Sequence, residues 1–376
     1  MNIAVNTRLL IKNKLEGIGW FTYESLKRIA TQHPEHHFYF IFDRPYNPTF
    51  IFSSNITPIV LYPQARHPVL FWFWFGLRLP HLLKKLNPDL FISPDGYLSL
   101  RTNIKSLAVF HDLNFEHYPE DLPFAFRLYY RYFFPKFAKK ATRIATVSEF
   151  SKLDIIKLYG KPADQIDVVY DGANELYKPL SPEVISATRN KYTSGTPYFI
   201  FIGSLHPRKN LVNLFKAFDI FRQGHSEEVK LLIVGARKWW TKEISSAYRD
   251  MHYSKDVVFS GRLNADELAQ VLGASLALTY VSYFEGFGIP IVEAFRCGVP
   301  VITSNVTSMP EVAGDAALLI DPFQPNSIAD AMKKIAEDIP LRNLMIQKGL
   351  ARKDEFTWQR TADLLWESIK KVINQN

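Results

Sequence analysis

The chain holds 376 residues, 47% of them hydrophobic and 22% charged. At roughly 100–200 residues per domain that length argues two domains, and the composition excludes a disordered, collagen-like or coiled-coil chain. A single cysteine, Cys297, excludes a disulfide scaffold and a cysteine-rich zinc site, and fits a reducing compartment. The net charge of +8 is uneven: residues 124–161 carry nine Lys and Arg against two acids. With aromatics at 14%, that surplus suggests nucleic acid, an anionic membrane or a phosphorylated ligand.

Polar Asn6 and Arg8 interrupt the apolar start, so no signal-peptide core is expected. Residues 3–7, 38–42, 89–92, 106–110, 144–147 and 167–170 read as buried strands. Stretches near 19–31, 70–86, 122–140 and 149–159 have helical length and period. Gly17 and Gly19 form a G-x-G turn between the first strand and the first helix, where backbone amides can approach a phosphate or an acceptor. The apolar run 68–77 is about half of the ~20 residues a membrane span needs. Its five consecutive aromatics cannot all face one side of a helix, so the segments 66–86 and 124–161 are candidates for peripheral contact with anionic lipid. His111 and Asp112 end a buried strand.

Residues 172–197, with Gly172, Pro179, Pro182, Gly195 and Pro197, read as a linker. A second alternating set follows, with strands at 198–202, 230–234, 257–259, 276–280, 299–303 and 317–320. Helices fit near 210–222, 241–252, 265–273 and 289–297, and a mostly helical tail covers 326–375. Strand–helix repetition in both halves argues an α/β class of two doubly wound, Rossmann-like domains facing a central cleft.

The densest constellation is 282–301. Gly286 and Gly288 allow a tight turn, Pro290 suits a first helical turn, and the amides near Phe287, Gly288 and Ile289 then favour an anion. Glu285 falls in the turn and Glu293 about one turn into the helix. Paired carboxylates accept hydroxyl hydrogen bonds, as a sugar or ribose offers. Arg208 and Lys209 follow a strand and a turn beginning at Gly203, and two such cations suit a diphosphate.

The spacing Glu285-x7-Glu293 resembles the signature of the retaining family 4 glycosyltransferases (glycosyltransferase group 1) of GT-B fold. Other segments are similar to that family in order along the chain. They are His111-Asp112, Thr146-Val-Ser148, Gly203 to Asn210, Ser308-Met-Pro-Glu311 and Phe356-Thr-Trp358. Two positions depart from it: His206 stands where Glu is frequent, and Val281 where Pro is frequent.

The resemblance implies an acceptor domain at 1–175, a donor domain at 176–356, and a closing segment 357–376 that packs back on the first. It implies transfer of a hexose, mannose first and glucose second, from a nucleotide-diphosphate sugar to a glycan or lipid-linked glycan, in cell-surface polysaccharide synthesis. Catalysis would rest on Glu285, His111, Arg208 and Lys209. The donor would be held by Glu293, Gly288, Phe287, Ile289, Gly203, Arg262 and Leu263, and Gly17, Gly19 and Asp112 would line the acceptor side. No cofactor and no metal are expected, since neither H-E-x-x-H nor D-x-D occurs. Nucleic acid is not an expected partner. The expected location is cytoplasmic, with possible attachment at the inner membrane face. The rival reading is a catalytically inactive nucleotide-sugar-binding or membrane-docking protein of the same fold.

Overall fold

A computed structural model describes residues 1–374. Contacts divide the chain into two units, 1–172 with 358–376, and 173–357.

The first unit holds β1 (Asn2–Asn6), β2 (His37–Phe42), β3 (Ile56–Val60), β4 (Leu90–Ser93), β5 (Ser106–Phe110), β6 (Arg143–Thr146) and β7 (Ile166–Val168). They form one parallel sheet in the order β3-β2-β1-β4-β5-β6-β7. The second unit holds β8 (Tyr198–Ile202), β9 (Lys230–Val234), β10 (Val257–Gly261), β11 (Ala277–Tyr280), β12 (Val301–Ser304) and β13 (Ala317–Ile320). Their order is β10-β9-β8-β11-β12-β13, again parallel. Parallel strands covered by helices on both faces are apolar throughout. Accordingly every residue of β4, β5, β8, β11 and β12 is buried.

In each sheet the strand order reverses beside the first strand, between β1 and β4 and between β8 and β11. Such switch points open a crevice at the carboxyl ends of the strands, where ligands bind in this fold class.

The structure differs from the sequence reading in three places. Residues 172–197 are not all linker: Pro182–Thr193 is a helix, with Pro182 in its first turn. The strands expected from sequence do not include β3; it is the edge strand, where its Pro58 is tolerated. The stretch 70–86 is not one regular helix. Pro68–Phe73 and Leu79–Leu86 are joined by a π-helical turn, Trp74–Arg78. That path resolves the five aromatics: Phe71, Trp74 and Phe75 enter the core, while Trp72 and Phe73 are exposed.

The closing helix Trp358–Asn374 contacts the helix Gly17–Gln32, and Thr361 Oγ1 donates to Tyr170 O at 2.7 Å. No helix among the described residues is long and apolar enough to cross a membrane.

Candidate active site

The switch point of the second unit joins the loops after β8 and β11. After β8 the chain runs through Gly203 to a 3-10 turn, Pro207–Lys209, and then the helix Leu211–Gln223. His206, the departure noted above, caps this turn: its Nδ1 accepts the Arg208 N–H at 3.3 Å. Asn210 adopts a left-handed conformation, and its Nδ2 donates to Val281 O at 3.0 Å and Pro322 O at 2.6 Å. It therefore fastens the β8 loop to the β11 loop instead of serving as an ordinary side-chain cap. The Tyr283 N–H adds a bond to Arg208 O at 3.0 Å.

These ties bring Arg208, Lys209 and Glu285 together. Arg208 Nη1 donates to Glu285 Oε2 at 2.7 Å and to Phe284 O at 3.0 Å. Lys209 Nζ donates to Glu285 Oε1 at 2.6 Å and to the Tyr280 hydroxyl at 2.8 Å. Each carboxylate oxygen thus has one cation, and Lys209 and Glu285 are nearly fully buried. Burial alone would raise the Glu285 pKa, but Arg208 and Lys209 outweigh it and hold the carboxyl at about 2. Both cations are thus engaged by Glu285.

Serine and threonine hydroxyls brace the Glu285 loop from the next element. Ser308 Oγ lies 2.9 Å from Glu285 O and 3.1 Å from Phe287 O, and the Glu285 N–H meets Thr307 Oγ1 at 3.3 Å. Gly288 then turns at φ +106° into the helix Ile289–Cys297, whose first turn has Pro290 and no side-chain cap. A β-carbon on Gly288 would sit 3.1 Å from Ile291 Cδ1, in a backbone region that L side chains avoid. An uncapped helix start offers N–H donors and a partial positive charge to an anion.

Glu293 is half-buried in that helix. Its pKa is raised to about 7 by burial, against a hydrogen bond from the Tyr177 hydroxyl. The two glutamates therefore differ in charge: Glu285 is a permanent anion, and Glu293 titrates near neutrality. Both act on the buried Tyr280 hydroxyl, whose pKa is pushed well up, chiefly by burial.

The remaining residues expected on the donor side lie along the same sheet edge. The Gly203 N–H donates to Val234 O and the Gly235 N–H to Gly261 O, both at 3.0 Å, so the loops after β8, β9 and β10 are laced together. Gly235 has no room for a side chain, since a β-carbon would lie 1.9 Å from Gly203 O. Arg262 is exposed and Leu263 half-buried just after β10.

His111, Asp112, Gly17 and Gly19 belong to the first unit. His111 Nε2 lies 2.8 Å from Pro94 O, and a carbonyl only accepts, so Nε2 carries the proton and Nδ1 is the ring's acceptor. Burial lowers the His111 pKa, which favours the neutral ring, and the ring edge rests on Phe21 at 5.1 Å. Asp112 Oδ1 accepts the Asn114 N–H at 3.0 Å. Gly17 is exposed at the start of the first helix. Gly19 is buried against Leu9 O and the Leu15 side chain.

Sequence reasoning missed four residues here. Tyr177 and Tyr280 carry hydroxyls to the site residues. Arg8 and Asp95 form a buried pair at the switch point of the first sheet, with Nε to Oδ2 at 2.6 Å. Arg8 also lies over Tyr97 at 4.5 Å and Phe71 at 5.0 Å. The available signal is a charged residue two positions past an apolar strand, which in the sequence alone only interrupts the apolar start.

Comparison with known proteins gives a consistent picture. Residues 16–175 match the family described as Glycosyltransferase Family 4, and residues 185–352 match Glycosyl transferases group 1. The chain is 30% identical over 361 residues to O-antigen chain mannosyltransferase B of Escherichia coli, covering 93% of this chain and 94% of that one. It is 27% identical over 288 residues to O-antigen chain mannosyltransferase RfbU of Salmonella typhimurium, covering 77% and 73%. Among solved structures, sucrose-phosphate synthase of Thermosynechococcus elongatus superposes with a TM-score of 0.81 over 100% of both chains, at 18% identity.

Proposed function

The chain belongs to the group 1, family 4 glycosyltransferases of GT-B fold, and on that premise we propose that it moves a hexose from a nucleotide-diphosphate sugar to a glycan or lipid-linked glycan of a cell-surface polysaccharide, with retention of anomeric configuration. Mannose is the first choice of sugar and glucose the second. The names of the two sequence relatives, both O-antigen mannosyltransferases, support that order.

One observation carries the donor assignment: Arg208, Lys209 and Glu285 converge at the switch point of the second sheet, beside an uncapped helix start. Two cations and helix amides suit a diphosphate, and their value is greatest as negative charge grows on the leaving group. Glu285 keeps both cations aimed at the site and contacts the transferred sugar. Glu293 accepts the ribose hydroxyls.

As the bond from the anomeric carbon to the phosphate oxygen breaks, the acceptor oxygen bonds to the same face. The departing phosphate takes the acceptor's proton. The first unit binds the acceptor, and His111, neutral with Nδ1 as acceptor, receives a hydroxyl hydrogen bond. Positioning and charge stabilisation supply the catalysis, and no metal takes part.

The first unit also carries a surface suited to anionic lipid. On the helix Phe124–Lys140, Phe124, Leu128 and Tyr132 are 69%, 62% and 56% exposed at four-residue spacing, with Arg127, Arg131 and Lys136 among them. Val69 and Trp72 of the helix Pro68–Phe73 are exposed as well, and that helix touches the first through Phe71 and Phe126. Apolar anchors with interleaved cations match a lipid interface, at which a lipid-linked acceptor would be presented.

A thermal-shift comparison of GDP, UDP and ADP identifies the donor base. Proton NMR of the product from the matching sugar nucleotide then reads the anomer. Stabilisation by GDP and an α-linked product from GDP-α-mannose support the reading, whereas a β-linked product overturns retention.

A further inference from the structure

At the opposite edge of the first sheet, before β2 begins, lies the turn His33-Pro34-Glu35-His36. His33 Nδ1 is 3.4 Å from Glu35 Oε1, and His36 Nε2 is 3.3 Å from the same oxygen. The three donor atoms lie within 4.8 Å of one another, the one such group of His, Cys, Asp or Glu among the described residues.

Zinc bonds to imidazole nitrogen and carboxylate oxygen are about 2.0–2.1 Å, so ligand atoms on a tetrahedral ion sit roughly 3.3–3.4 Å apart. Two of the three edges already have that length. Two imidazoles and a carboxylate form a borderline donor set, suited to zinc and its first-row neighbours and not to magnesium or calcium.

The turn is built, not loose. Asn55 Nδ2 lies 3.2 Å from His33 O, 2.9 Å from His36 O and 3.0 Å from Ala30 O, fixing both histidine backbones. The rings are near-parallel, and Trp366 of the closing helix stacks on His33 at 3.8 Å and on His36 at 5.2 Å.

We propose that His33, Glu35 and His36 form a zinc site that fastens the closing helix Trp358–Asn374 to the first unit through Trp366. Water completes the coordination. The site lies at the amino ends of the strands, while His111 and Asp112 lie at the carboxyl ends, so it is structural and takes no part in transfer.

Titration calorimetry with zinc chloride on full-length protein free of any histidine tag tests this. One saturable site is expected, with a rise in Tm, and both are lost in His33→Ala/His36→Ala. The double variant keeps its circular dichroism and transfer rate. Copper(II) is the second probe: bound beside Trp366 it quenches indole fluorescence, and Trp366→Phe removes that quenching while retaining zinc binding. Absence of saturable zinc binding in the wild type, unchanged binding in the double variant, or unchanged quenching in Trp366→Phe would each overturn the site.

Discussion

Lys209 Nζ and Glu285 Oε1 meet at 2.6 Å although 76 positions separate them in sequence. Their meeting depends on β8 and β11 being neighbours in the sheet. Breaking a buried ion pair from one side leaves an uncompensated charge, at a cost of about 3–5 kcal/mol. Arg208 remains on the other oxygen, so Lys209→Ala should fall at the low end of that range. Its transfer rate should drop roughly 10²–10³-fold, the usual cost of removing one donor to developing negative charge. Urea denaturation and nucleoside diphosphate release measure the two effects separately.

With Glu293 at the ribose, as proposed, donor binding should depend on pH. Its carboxyl, raised to about 7 by burial, is largely protonated at pH 6 and ionised at pH 8. In the proposed site the ionised form would accept two ribose hydroxyl bonds, so affinity for the nucleoside diphosphate should increase from pH 6 to 8. Glu293→Gln should bind more weakly and with a flat profile. Calorimetry in two buffers of different ionisation heat should also show proton release on binding to the wild type near pH 7.

Asp171 governs stability by the same physics. It is buried with Oδ1 lacking a hydrogen-bond partner, and burial raises its pKa to about 8. An unfolded aspartate titrates near 3.9, roughly. Between these values the native state holds the extra proton, so this residue's contribution to stability falls as pH rises from about 4 to 8. Asp171→Asn removes that slope, and its stability relative to wild type should increase across the same window. Urea midpoints at pH 5 and pH 8.5 check it, and parallel behaviour of the two proteins would count against the assignment.

The proposed donor site is legible in sequence where its residues are local. Gly286, Gly288, Pro290 and Gly298 punctuate one strand–turn–helix segment, so Glu285 and Glu293 stand out on spacing alone. The pairing of Glu285 with Arg208 and Lys209 was not readable, because it follows from strand order and not from any local pattern. Tyr177 lies in a stretch whose glycines and prolines suggest a linker, although Pro182 opens a helix. Pro58 in β3 is a similar case: its missing N–H is harmless only at a sheet edge, and edges are known once the order is known.

The exposed stripe of the helix Phe124–Lys140 predicts lipid binding separable from chemistry. Phe124→Ser/Leu128→Ser/Tyr132→Ser should keep the fold, since all three side chains are exposed. It should lose co-sedimentation with vesicles containing anionic lipid and keep turnover on a short soluble acceptor. Raised salt should weaken the wild type's binding, because the cations act through a screened potential. Equal sedimentation of wild type and variant would show that this surface does not bind lipid.

The second unit's cluster is proposed to hold a sugar nucleotide for transfer. Release of GDP from GDP-mannose in the presence of acceptor, compared among wild type, Glu293→Gln and Arg208→Ala/Lys209→Ala, tests it most directly. At pH 8 a loss of about 100-fold or more is expected in Arg208→Ala/Lys209→Ala and a clear loss in Glu293→Gln, with unchanged circular dichroism. Near-wild-type release by either folded variant would contradict it.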